Sequence, residues 1–165
     1  MDQSHLELIR GDYVISTDPA RLDPAAIHQY LTRSYWAEGI PLAVVQRSLL
    51  GSLCFGLYHD NRQVGFARVI TDRATFAYLG DVYVLEEHRG RGLGKWLMDA
   101  VFAHPALIGL RRTVLVTRDA HALYARYGFT APRNPAGYME IHRPDIYQAN
   151  SAEARFSSSA TDSPS

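Results

Sequence analysis

Between residues 88 and 97 the chain reads HRGRGLGKWL, with glycines at 90, 92 and 94 set among Arg89, Arg91 and Lys95. Alternate glycines let a backbone approach a bulky anion without Cβ clashes. The apolar residues that follow (Leu93, Trp96, Leu97, Ala100, Val101) recur at helical spacing, so a helix opens inside the loop. A helix N-terminus presents unpaired N–H groups and a positive dipole end, which suits phosphate. Two phosphate-binding loops are excluded by spacing. A Walker loop needs glycine where Arg89 stands and Ser or Thr where Trp96 stands. The dinucleotide fingerprint needs a small third residue where the chain has Leu97 or Lys95.

The elements that must position this loop are legible from periodicity. DYVIST (12–17) alternates and reads as a strand. Asp23 followed by Pro24 predicts an N-cap and the first position of a helix carrying Ile27, Tyr30, Leu31 and Ser34. Pro41 opens a second helix, with Leu42, Val45 and Leu49 on one face and Gly51 beyond its end. Three strands follow in a meander: SLCFGLYHD (52–60), QVGFARVITD (63–72) and TFAYLGDVYVL (75–85). After the loop and its helix come a short β-branched strand, RTVLVT (112–117), a helix over 119–128 ending at Gly128, and a last strand, YMEIHR (138–143). The tail from Gln148, rich in Ser and Ala, lacks apolar periodicity and is expected to be disordered, leaving 1–147 as a single domain. This order predicts an α/β (α+β) domain, a mixed sheet with helices on both faces.

VYVLEEHRGRGLGKWLM is similar to the coenzyme A-binding segment of the GNAT family, the GCN5-related N-acetyltransferases, through the pattern R-x-x-G-x-G at Arg89, Gly92 and Gly94. TRDAHALYARYGF (117–129) resembles a second segment of that family, with Ala120, Leu123, Tyr124, Gly128 and Phe129 on pattern. Glu86 stands where the family often has proline, and Thr117 replaces the usual asparagine. The likeness covers roughly residues 11 to 143. It implies the GNAT fold, a mostly antiparallel sheet whose strands 75–85 and 112–117 splay to admit the cofactor, and acetyl transfer from acetyl-CoA to a primary amine. A catalytically silent coenzyme A-binding domain is the alternative.

The resemblance assigns the site residue by residue. The pyrophosphate falls on the loop formed by Arg89, Gly90, Arg91, Gly92, Leu93, Gly94 and Lys95. The pantetheine arm falls on the backbone of Val82 and Val84, with Gly80 marking a bulge. Strict alternation places Val82 and Val84 on one strand face with Phe76, Tyr78 and Gly80. Tyr124 is the expected general acid, and Asp81 the carboxylate that receives the amine. Tyr78 stands where other members carry a catalytic glutamate, and a phenol cannot serve as base near neutral pH. The segment RSYWAEGIP (33–41) matches the acceptor side, so Tyr35 and Trp36 are expected as an aromatic wall and Glu38 as a cation site.

Composition limits the partners. Seventeen basic and seventeen acidic side chains cancel, which speaks against nucleic acid. Cys54 is the one cysteine and lies in an apolar stretch, so neither a disulfide nor a cysteine metal site is expected. His88, His121 and His142 are too scattered to hold a metal. No signal peptide and no apolar run of about 20 residues is found, so a cytoplasmic protein away from membranes is expected. The acceptor is a small-molecule or peptide amine, and a homodimer is compatible with the sequence.

Overall fold

The computed structural model describes residues 4–148; of the tail expected to be disordered from Gln148, all but Gln148 itself lies outside them. Six strands form one sheet in chain order: β1 (Glu7–Arg10), β2 (Tyr13–Ser16), β3 (Leu53–His59), β4 (Arg62–Thr71), β5 (Phe76–Val84) and β6 (Arg112–Leu115). Neighbours are antiparallel as far as β5, and β6 runs parallel to β5. The mixed, mostly antiparallel sheet is therefore as expected. Strand β1 is an addition. Its four residues carry two charges, it sits at the sheet edge with Ile9 exposed, and so it shows no burial pattern in the sequence.

Helices cover both faces. The carboxylate of Asp23 accepts from the Ala26 amide, and Pro24 starts α1 (Pro24–Leu31). Its partner α2 (Leu42–Leu50) ends at Gly51. Ile27, Leu31 and Val45 of this pair close over Cys54, Phe66 and Tyr83. On the opposite face, α3 (Leu93–Ala103) buries Leu93, Trp96, Leu97, Ala100 and Val101 against β3 and β5. Tyr124 of α4 (His121–Ala125) joins the same core. This last helix is shorter than the 119–128 expected. The turn before it is held by the Thr117 hydroxyl, which accepts from the Ala120 amide at 3.0 Å.

Strand β5 carries the feature that makes a site. Opposite β4 its register runs Arg68 to Gly80 and then Phe66 to Tyr83, so β5 contains one extra residue there. Asp81, inside this bulge, has φ 55°, the left-handed region that few residues other than glycine enter. The extra residue reverses the side-chain phase. Ala77 and Leu79 face α3, and beyond the bulge so do Val82 and Val84, while Tyr83 turns to the α1–α2 side. Strict alternation, which grouped Val82 and Val84 with Phe76 and Tyr78, is thus corrected.

The last strand expected from the sequence, 138–143, does not join the sheet. Residues 138–143 belong to no ladder, and Met139 and Ile141 are 96% and 88% exposed. Alternation marks a segment able to pair, but pairing also needs the segment to lie along a free edge, and here it does not.

Candidate active site

Strands β5 and β6 pair from Phe76–Arg112 to Leu79–Leu115 and then part. Val82 has no register partner on either side, and Val84 pairs only with Gly65 of β4. The splayed strand pair is therefore present, and the bulge explains it, because the kink turns the second half of β5 away from β6. Gly80 allows the bend to be tight. The Tyr78 ring leans over it, and a Cβ at position 80 would stand 3.3 Å from that ring.

The glycine loop leads from the end of β5 into α3. Gly90 and Gly92 both have left-handed backbone, with φ 80° and 74°, and Gly92 is the N-cap. No side chain caps α3, and no amide from Gly90 to Lys95 donates to another described residue. A Cβ added at Gly90, Gly92 or Gly94 would meet nothing within 4 Å, so the space above the loop is open. Free amides around an open concavity at the positive end of a helix fit an anionic group such as a pyrophosphate. Among the cations, Arg91 is exposed on the loop, and Lys95 pairs with Asp99 at 3.1 Å. Arg89 turns away from the opening. Its Nε donates to the Val84 carbonyl at 2.9 Å and its Nη2 to the Tyr30 hydroxyl at 3.0 Å. It braces the loop against β5 and α1 rather than offering a free charge. Glu86, at the start of the loop, receives Arg33 at 3.0 Å, and this partner holds its carboxyl near 2.

Across the gap stands Tyr124. It is buried, its ring packs edge-on to Phe129, and its hydroxyl makes no hydrogen bond to another described residue. Burial raises its pKa above the usual tyrosine value, with the nearby Tyr35 phenol adding to the rise. Tyr124 is thus a protonated phenol at neutral pH with its donor unspent. Tyr78 is raised as well, by burial and then by Asp81, which keeps it from acting as a base.

Asp81 is held from two sides. Its Oδ2 accepts from Arg68 Nε at 2.7 Å, and its Oδ1 accepts from Trp36 Nε1 at 2.9 Å. The bulge, β4 and the α1–α2 connection therefore meet at one carboxylate. Tyr35 packs edge-on to Trp36, and Arg118, just past β6, lies over the Tyr35 ring at 4.0 Å. Tyr35 and Trp36 thus stand side by side and link Asp81 of β5 to Arg118 beyond β6. Glu38 does not join Asp81. It lines a separate hollow of about 400 Å³ with Tyr35, Trp36, His142, Arg143 and Tyr147.

Three contributors escaped the sequence reading. Arg68 interrupts the apolar run FARVI on an inward phase, a signal of a paired charge that was there to be read. Tyr30, stacked on Tyr83 at 3.9 Å, and Arg118 gave no such signal, because their roles arise from elements distant in sequence. Cys54 is packed, and burial pushes its thiol up to about 12, which makes it inert. Among the described residues no three potential ligands stand together to hold a metal, and no helix is long and apolar enough to cross a membrane.

Known proteins bear on this geometry. Residues 51–131 match the acetyltransferase (GNAT) domain. A curated protein of Gibberella zeae, named "Putative acetyltransferase FG08082", is 39% identical over 140 residues, covering 71% of this chain and 78% of that protein. A crystal structure from Xanthomonas campestris pv. campestris, described as belonging to the GNAT family, is 60% identical with a TM-score of 0.80, covering 82% of this chain and 96% of its own. A Clostridium acetobutylicum structure with acetyl-CoA shares the fold at 16% identity and a TM-score of 0.57, covering 79% and 94% of the two chains.

Proposed function

This chain belongs to the GNAT family of acetyltransferases, and from that premise we propose that it moves an acetyl group from acetyl-CoA directly to a primary amine, without a covalent enzyme intermediate. The observation that carries the reading is the open, amide-lined loop at the start of α3, set at the end of the strand that parts from β6. When bound, acetyl-CoA supplies the activated thioester. In this reading the amides of the Gly90–Lys95 loop hold its pyrophosphate, and the Val82–Val84 backbone, freed from β6, orients the arm. The Val82 amide faces the developing negative charge on the carbonyl oxygen. Tyr124 keeps a proton at Oη for the departing sulfur.

Asp81 acts by position. Both of its oxygens are engaged by Arg68 and Trp36. It therefore fixes the bulge and sets the aromatic wall, and its charge draws the ammonium form of the acceptor to the gap. The acceptor proton then leaves through water. The acceptor class is a small-molecule or peptide amine presented past Tyr35 and Trp36.

The test is a panel of amines incubated with acetyl-CoA and the protein, read by release of free thiol and by mass spectrometry of the products. An acetylated amine formed with stoichiometric thiol is the expected result. Acetyl-CoA binding without thiol release for any amine would instead establish a silent coenzyme-binding domain.

A further inference from the structure

The end of α1 brings one ring to three parts of the site. Tyr30 stacks on Tyr83 at 3.9 Å, with the ring planes 10° apart. Tyr83 is buried there because the extra residue at Asp81 turns it to the α1–α2 side. The Tyr30 hydroxyl accepts from Arg89 Nη2 at 3.0 Å, at the root of the glycine loop. Its ring also lies 6.3 Å from that of Trp36, whose Nε1 donates to Asp81. On the acetyltransferase reading, which this step requires, we infer that Tyr30 is a positioning residue shared by the two substrates. Its hydroxyl sets the loop that takes the cofactor phosphates, and its ring sets the indole that holds the acceptor-side carboxylate.

A ring stacked on a buried partner has little freedom to slide or turn, so Tyr30 is a fixed point. The Arg33 guanidinium lies over the same ring at 4.6 Å and donates to Glu86 at 3.0 and 3.4 Å. The end of α1 is thus fastened twice to the stretch that leads into the loop, through Tyr30 to Arg89 and through Arg33 to Glu86. His88 ties that stretch to β2 as well, through Tyr13 at 2.7 Å. Arg89 Nε is spent on the Val84 carbonyl, so the Tyr30 hydroxyl fixes the other end of the guanidinium. Next in the chain stands Gly90, whose left-handed backbone aims the amides that follow. Amides that converge on a phosphate lose affinity when their loop is loosened, because binding must then supply the ordering. On the acceptor side, Trp36 is 41% exposed, so its orientation depends on the rings that touch it, Tyr30 and Tyr35, and on its bond to Asp81.

The experiment uses the full chain, with acetyl-CoA binding as one readout and Trp36 emission as the other. Tyr30→Phe removes the hydroxyl and keeps the ring, so acetyl-CoA binding by calorimetry should weaken by roughly three- to tenfold, as for the loss of one hydrogen bond near the surface. In an Arg89→Met protein the same substitution should add nothing further, because its partner is already gone. Trp36 emission is isolated by subtracting that of a Trp36→Phe protein, since Trp96 is the other tryptophan. Tyr30→Phe should leave this emission unchanged. Tyr30→Leu, which takes the ring away, should shift it to longer wavelength and raise its quenching by acrylamide. Where Tyr30→Leu does not fold, Tyr30→Met takes its place. Parental acetyl-CoA affinity in Tyr30→Phe, additive losses with Arg89→Met, or parental Trp36 emission without the ring overturns the inference and leaves the acetyltransferase reading intact. A parent that binds no acetyl-CoA overturns that reading, and the inference with it.

Discussion

Arg68 Nε lies 2.7 Å from Asp81 Oδ2, and this pair joins β4 to the one residue of β5 that sits in left-handed backbone. Both side chains are largely buried, with 18% and 11% of their surface exposed. Asp81→Asn tolerates the backbone angle and keeps an acceptor for Trp36, but leaves the guanidinium of Arg68 without its counter-charge. We expect a stability loss of roughly 1–3 kcal/mol, below the cost of breaking a fully buried pair because some solvent reaches this one. The KM for the amine should rise, while acetyl-CoA affinity holds. Chemical denaturation and steady-state kinetics on the same protein check both. A variant with parental stability and a large fall in kcat alone would make Asp81 the base.

Tyr124→Phe keeps the ring against Phe129 and removes a hydroxyl that has no hydrogen-bond partner among the described residues. The melting temperature should therefore stay within error. Turnover is expected to fall by roughly ten- to a thousandfold, in the range of general-acid contributions. Binding of acetyl-CoA, followed by calorimetry, should change little. Parental turnover across the neutral range would return Tyr124 to a packing role.

Gly94 separates fold from ligand better than its neighbours. Gly90 and Gly92 have left-handed φ, where a β-branched side chain is strained, so Gly92→Val would damage the loop as well as block it. Gly94 lies within α3 and lacks that constraint. Gly94→Ala should raise stability by about 0.5–1 kcal/mol through helix propensity. Its methyl group should also enter the open space above the loop and weaken acetyl-CoA binding. A rise in melting temperature together with a loss of affinity is the expected pair of readings. Unchanged affinity would move the phosphate site elsewhere.

Acid should weaken the fold through His88. Its Nδ1 lies 2.7 Å from the Tyr13 hydroxyl, and burial, followed by His59 and Arg91, lowers its pKa. His104 is lowered by burial as well. An imidazole whose folded pKa is depressed takes up its proton first in the unfolded chain, at about 6.5. Stability rises with pH wherever the unfolded state binds more protons, so it falls as pH drops through and below that value. Melting temperatures between pH 7.5 and pH 5 should decline on acidification, and His88→Gln should flatten the decline. A slope unaltered by that substitution would assign it to other groups.

Much of this molecule was legible because its signals are local. Asp23–Pro24 capped α1, Gly51 closed α2, and the glycines at 90, 92 and 94 opened α3 as their chemistry required. What failed depends on partners. The strand pattern of 138–143 says what the segment can do, and only an available edge decides whether it does so. Alternation along β5 was misread because one extra residue at Asp81 reverses every side chain after it. Among the candidate site residues, the loop glycines came from pattern, and Tyr35 and Trp36 from the likeness of segment 33–41 to the family's acceptor side. The brace formed by Arg89 and the Arg68–Asp81–Trp36 contact required three dimensions.

The inserted residue in β5 also acts as a lock. Were the two strands to zip together past Leu79 with unbroken alternation, Val82 and Val84 would swing to the α1–α2 side and Tyr83 would be driven under α3. The cleft thus cannot heal by small adjustments, since closing it means turning the second half of the strand inside out. Deleting one residue at 80–82 should consequently cost the whole domain, whereas single replacements there leave the opening in place. The aperture is written into the parity of the chain.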